Sequence, residues 1–216
     1  MKIPFPYVII IELLCLLSSL YYLNNKAGWW KYFKFFLALT VVVETSAYCI
    51  FAYYQKSNHW IHNLFLPIDA LFSAWLFLKI YNNYFNSKPW LLLGLTIFLA
   101  IYFFTSISNN FLEYSTTGSE FISVFFAVSS CLYYYYLLKQ DDYIDLIKHP
   151  PFWIITGLFF FYFGRTGCNF FADYLFDINK IYGIPLRYII FIVLNFILYG
   201  CWSYGFICKY RQTISS

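Results

Sequence analysis

A chain of 216 residues with 62% hydrophobic and only 11% charged side chains is no water-soluble domain, where about a quarter of residues are charged. Its mean hydropathy is +0.62. The net charge of +4 comes with no basic run beyond two or three residues, which excludes nucleic acid as a partner. Aromatic content reaches 26%, from 27 Phe, 23 Tyr and 7 Trp; Phe suits lipid, whereas Tyr and Trp favour the interface or bundle contacts.

Seven apolar runs separated by short polar stretches predict one membrane-embedded helical domain over residues 1–216. They are twice the length of a barrel strand, and in lipid the backbone must satisfy itself, so they are read as helices. The first, about Phe5–Leu23, has only Lys2 ahead of it and ends in Tyr21-Tyr22-Leu23-Asn24-Asn25 without a small-x-small cleavage site. It is therefore expected to be a retained span rather than a signal peptide. It carries Glu12. The second, about Phe33–Tyr54, follows Trp29 and Trp30 and aligns Thr40, Glu44 and Tyr48 at helical spacing. The third, about Trp60–Tyr81, aligns His62, Asp69 and Ser73.

The fourth run, Trp90–Ile107, is the shortest and has no charge; the fifth, Phe121–Leu138, offers only Ser123, Ser129 and Ser130 and ends in the belt Tyr133–Tyr136. The sixth, Phe152–Leu175, sets Arg165, Asn169 and Asp173 four residues apart as one polar stripe. Its Gly157, Gly164 and Gly167 would allow a close helix approach or a kink beside the arginine. The seventh, Leu186–Cys208, aligns Tyr188, Asn195, Tyr199 and Trp202. Prolines at Pro4/Pro6, Pro89, Pro150/Pro151 and Pro185 mark starts, where a missing N–H costs least. Trp60, Trp90 and Trp153 stand at ends as interface anchors.

Lysine and arginine set the expected orientation. With the N-terminus outside and the C-terminus cytoplasmic, Lys26, Lys31, Lys34, Lys79, Lys88, Lys139, Lys148, Lys209 and Arg211 face the cytoplasm. Lys2, Lys56, Lys180 and Arg187 face outward, nine against four. The loop Ser108–Glu120 has no Lys or Arg and carries Glu113 and Glu120, in keeping with an outer location. The expected fold is an all-α integral membrane protein, a seven-transmembrane-helix bundle. No internal repeat of inverted-transporter type is visible.

Four charges inside these runs carry the functional reading, because a charge at mid-bilayer costs several kcal/mol unless neutralised or paired. At 1.5 Å per residue from the cytoplasmic ends, Glu12, Glu44, Asp69, Arg165 and Asn195 fall roughly 16 to 20 Å up, in one layer. Spans one, two, three, six and seven are expected to surround it, with four and five peripheral. Three acids and one base leave a formal −2, so two acids are protonated or a cation or amine compensates them. A dry centre with Arg165 paired to Glu44 and Asp69 would be structural glue. An outward cavity with unpaired acids would be a ligand or ion pocket, lined by Glu12, Glu44, Asp69, Arg165, Asn169 and Asn195.

Other chemistries lack their residues. The six cysteines lie in or beside apolar runs without CxxC spacing, so neither a zinc site nor a disulfide framework is expected. A retinal Schiff base needs a mid-span lysine on the seventh run, which has only Arg187 at its edge. His59, His62 and His149 are the only histidines. No third zinc ligand accompanies His59 and His62, and no histidine lies at the depth of the acids for Ser/His/Asp chemistry. No cofactor is expected.

The motifs Glu44-x-x-x-Tyr48, Phe152-Trp153-x-x-x-Gly157 with Tyr162-x-Gly164, and Asn195-x-x-x-Tyr199 resemble a loose group of small, aromatic-rich, seven-span bacterial membrane proteins of unknown function. Some members look like sensory partners of kinases, so the resemblance implies a receptor or sensor rather than an enzyme. The lead expectation is a non-enzymatic receptor that binds a small ligand or cation and signals to a separate cytoplasmic protein through Lys209-Tyr210-Arg211 or Lys139–His149. The rivals are a proton-coupled transporter using Glu44 and Asp69, and an intramembrane lipid-modifying enzyme using paired acids.

Overall fold

Proline and aromatic punctuation set most of the helix starts. In the computed structural model, which describes residues 6–23, 28–55, 57–82, 84–108, 113–140 and 144–215, helix α1 (Tyr7–Tyr22) begins after Pro6. Helix α2 (Tyr32–Tyr54) continues a 3-10 turn at Gly28–Lys31, and α3 spans His59–Tyr81. Helix α4 (Lys88–Ser108) carries Pro89 in its first turn, α5 spans Thr116–Leu138, and α6 (Pro150–Phe170) has its two prolines at the first positions. Helix α7 covers Ala172–Tyr182 and α8 covers Leu186–Ser215. Among the described residues there is no strand. Lys2, Pro4, Phe5, Asn24, Asn25, Lys26 and Lys56, with parts of the Ser108–Glu120 and Lys139–His149 connections, lie outside the described residues.

Five helical stretches are long and apolar enough to cross a membrane: Gly28–Tyr54, His59–Tyr81, Lys88–Ser108, Thr116–Leu138 and Leu186–Ile214. The fold is that of a helical membrane protein. Helix α1 is apolar but only 16 residues long. Helix α6 has 21 residues, but Arg165, Asn169 and its glycines dilute its hydropathy.

Three expectations need correction. The fourth run is not the shortest: α4 has 21 residues against 16 in α1. The last helix runs beyond Cys208 to Ser215. The sixth run stops at Phe170, the backbone turns at Phe171, and α7 starts again at Ala172. Beyond that break the sequence is amphipathic, with Asp173, Asp177 and Lys180 among apolar residues, so it no longer suits a span. Gly183 ends α7 in a left-handed conformation (φ +67°) that glycine adopts without strain.

Helix α1 packs on α2 and α8, α2 on α3, α3 on α5, α5 on α6, and α6 on α8, so six helices close a ring. Helix α4 sits outside it against α3 and α5. Glycines set the α6–α8 approach: a Cβ on Gly164 would lie 2.4 Å from Leu194 Cδ2, and one on Gly157 would lie 3.0 Å from the Leu198 carbonyl oxygen. Gly167 has open space instead.

Inside the ring, one half is filled by aromatic rings. Phe33 lies 5.1 Å from both Trp202 and Phe206, centroid to centroid, and Phe36 stacks on Phe72 at 3.7 Å. Between α3, α5 and α6, Phe77 stacks on Phe126 and Phe126 meets Tyr162. Phe33, Phe77, Phe126 and Phe206 are fully buried.

Pro67 sits inside α3 and has no N–H for the carbonyl of Asn63 one turn earlier. The Tyr102 hydroxyl of α4 donates to that carbonyl at 2.9 Å. The Asn63 side chain then fastens the segment before α5: its amide donates to the Glu113 carbonyl at 2.7 Å and its oxygen accepts from the Ser115 N–H at 3.0 Å.

Candidate functional site

The other half of the ring is hollow. A cavity of about 840 Å³ lies between α1, α2, α3, α5, α6 and α8, and Glu12, Glu44, Asp69, Arg165, Asn169 and Asn195 all line it. It runs from Phe36, Ser73 and Trp202 inside the bundle to Pro6, Asn58, Thr116 and Arg187 at one end. That end gathers the starts of α1, α3, α5 and α8 and the finish of α2 and α6.

The stripes read from helical spacing reach this cavity. Thr40, Glu44 and Tyr48 line it from α2, His62, Asp69 and Ser73 from α3, and Tyr188, Asn195, Tyr199 and Trp202 from α8. On α6, Arg165 and Asn169 face it, but the break at Phe171 turns Asp173 away, and Asp173 is exposed in the first turn of α7.

The acids have weak or neutral partners. Glu12 is 2% exposed; its Oε1 accepts from the Tyr199 hydroxyl at 3.2 Å, while its buried Oε2 has no hydrogen-bond partner among the described residues. Glu44 Oε1 lies 3.8 Å from His62 Nδ1, beyond hydrogen-bond range. Asp69 Oδ2 accepts from the Tyr162 hydroxyl at 3.4 Å, and Tyr162 lies 2.8 Å from the Ser73 hydroxyl. Tyrosine has one proton to give, so Ser73 donates to Tyr162 and Tyr162 to Asp69.

Arg165 does not pair with Glu44 or Asp69. Its Nη2 donates to the Tyr114 hydroxyl and the Ser119 hydroxyl, each at 2.5 Å, and no ion pair forms at it among the described residues. The guanidinium thus reaches toward the start of α5, away from the expected common layer. Its Cα lies five residues from the end of α6, whereas Asp69 lies ten residues from the same end of α3; Glu44 is level with His62, three residues into α3, because Asn58 joins the Ala47 carbonyl and α2 overhangs the start of α3. At 1.5 Å per residue Asp69 sits about 7 Å deeper. Span five is therefore not peripheral, because Thr116 and Ser119 line the cavity; no residue of α4 does.

Sequence reasoning missed three contributors. Arg187, expected only as an outer-loop charge, lines the cavity, and its Nη2 donates to Asn169 Oδ1 at 3.2 Å. Tyr114 and Ser119 are ordinary residue types with no charge to flag them. Asn195 spends its amide N–H on its own helix, donating to the Phe191 carbonyl at 2.8 Å.

Three acids and two arginines share the cavity, with Asp69 deeper than either arginine. The deep end is walled by rings, including Phe36, Phe65, Phe161, Tyr199 and Trp202. An ammonium or other organic cation finds carboxylates and aromatic faces there together. Among the described residues no three His, Cys, Asp or Glu side chains converge as a metal site. No family model matches the sequence, and no curated protein or solved structure is significantly similar to it.

Proposed function

We propose that the protein is a seven-span receptor or sensor of a bacterial inner membrane, with its N-terminus outside. It binds a small cation-bearing ligand in an outward-facing pocket lined by Glu12, Glu44, Asp69, Arg165, Asn169 and Asn195. One observation carries the reading: acids from three helices line a single cavity of about 840 Å³ while Arg165 is held by neutral hydroxyls. Acids already neutralised by that arginine would have supported structural glue instead. The volume falls within the roughly 300–1,000 Å³ of small-molecule sites and far exceeds what a bare ion needs. Reach to one end only, with rings closing the other, supports a receptor over an open conduit. The resemblance to small aromatic-rich seven-span proteins supports the same assignment, with a cytoplasmic partner docking at Lys209–Arg211 or Lys139–His149.

The transporter reading has its own support in the Ser73–Tyr162–Asp69 hydrogen-bond chain, a form that proton relays take. A thermostability screen of purified protein against sodium, tetramethylammonium and short diamines tests the receptor reading. A stabilising cation whose effect disappears in Asp69→Asn supports it. No response to any of them, together with pH-gradient-driven uptake in proteoliposomes that is lost in Glu44→Gln, overturns it in favour of transport.

A further inference from the structure

A second recess lies on the outer surface of the bundle, between α2 and α3 at the end opposite the cavity mouth. It has a volume of about 670 Å³, and its walls are the rings of Trp29, Tyr32, Phe35, Phe36, Phe72 and Trp75 with Leu39 and Ile68. Lys31 and Lys79 also line it. Both lysines are part-exposed and lie at the helix ends, Lys31 just before α2 and Lys79 in the last turn of α3.

Length, charge and position together specify an occupant. From Lys31 to Leu39 the groove follows α2 for about 12 Å, and from Ile68 to Lys79 it follows α3 for about 17 Å. Half of a hydrocarbon core of about 30 Å is about 15 Å, so the groove is as deep as one leaflet. Its rings and aliphatic chains face lipid along that depth: Phe35 is 70% exposed and Tyr32, Leu39 and Ile68 are also exposed. At the interface end, neither lysine has a carboxylate within ion-pair distance among the described residues. Lys31 Nζ lies 5.4 Å from the Tyr32 ring, a placement that leaves its N–H donors available.

The geometry points to a bound anionic phospholipid, its acyl chain along the α2–α3 groove and its phosphate between Lys31 and Lys79. Basic pockets between membrane helices recognise anionic headgroups in this way, while a zwitterionic headgroup would bring its own cation against the two lysines. The site adjoins the polar cavity. Phe36 lines both recesses, and it stacks on Phe72 of the groove wall at 3.7 Å. A lipid in the groove therefore presses on the partition that closes the deep end of the cavity.

The full-length protein, delipidated in detergent and exposed to equimolar phosphatidylglycerol and phosphatidylcholine, tests this by native mass spectrometry. Wild type should retain phosphatidylglycerol about tenfold over phosphatidylcholine. The double variant Lys31→Gln/Lys79→Gln should fall to near parity with its helicity intact, while Lys31→Arg/Lys79→Arg keeps the preference. Leu39→Trp, which fills the groove without touching either lysine, should lower retention of the anionic lipid. Parity in wild type, or an unchanged preference in the glutamine variant, overturns the proposal. So does a lipid-free dimer that buries the groove. If the glutamine variant loses helicity, the wild-type ratio and the Leu39→Trp result decide.

Discussion

The two halves of the helix ring are built from the same helices but solve opposite problems. Toward the ends bearing Lys31 and Lys79, the interior is ring-on-ring: Phe33, Phe36, Phe72, Trp202 and Phe206 pack against one another. Toward the other end, the same α2, α3 and α8 hold apart a cavity whose walls carry Glu44, Asp69 and Asn195. Trp202 belongs to both, buried in the stack and lining the floor. The aromatic half supplies packing energy that a hollow half cannot, and so allows polar groups to stand unpaired where a ligand can reach them.

This contrast predicts opposite responses to substitution. The largest loss is expected in the aromatic half: Phe33→Ala or Trp202→Ala should cost about 3–5 kcal/mol, read as a lowered Tm in detergent. A loss below about 1 kcal/mol would mean that the stack does not support the bundle. Next comes the Pro67 anchor. Tyr102→Phe leaves the Asn63 carbonyl without its donor and should cost about 1–3 kcal/mol, with faster amide exchange at Ser115. If Ser115 stays protected, the link from α4 through Asn63 to α5 carries no load.

Cavity substitutions should behave differently. Asp69→Asn and Glu44→Gln keep the shape and remove a charge, so stability should change by less than about 1 kcal/mol while binding of the stabilising cation is lost. A collapse of the fold in either variant would make the acids structural and erase the distinction between the halves.

The smallest effect concerns His149, at the start of α6, outside the spans. Burial holds its imidazole below the usual histidine range, and the neutral ring lies 3.4 Å from the Tyr84 hydroxyl. A histidine whose folded pKa is depressed takes up its proton more readily when unfolded, so stability falls as pH drops below about 6.5. His149 is partly open to solvent, so the loss should stay below about 1 kcal/mol. Tm measured from pH 7.5 to 5.5 should show a slope that His149→Gln reduces.

The polar site was more legible than the architecture around it. Glu12, Glu44, Asp69 and Arg165 declare themselves because charge in lipid is expensive, and helical spacing then links Thr40, Tyr48, Ser73 and Tyr199 to them. What spacing cannot convey is where a long side chain goes. Arg165 has a reach that takes it to Tyr114 and Ser119, and those partners are residue types found throughout the chain. The break at Phe171 was hidden because the Arg165–Asn169–Asp173 rhythm continues across it, although the amphipathic character of 172–182 already distinguished it from a span. Pro67 lies inside the third apolar run and marks no helix start, and the repair of its backbone gap by Tyr102 of another helix depends on packing.

The central claim is a water-accessible acidic pocket open to one side only. In a cysteine-free background, Thr40→Cys and Ser73→Cys place thiols on the cavity wall and Phe206→Cys places one in the aromatic stack. Membrane-impermeant thiol reagent added to intact cells should label the first two from outside and leave the third unmodified. Labelling of none of them, or labelling only from the cytoplasmic face in inverted vesicles, would contradict the account.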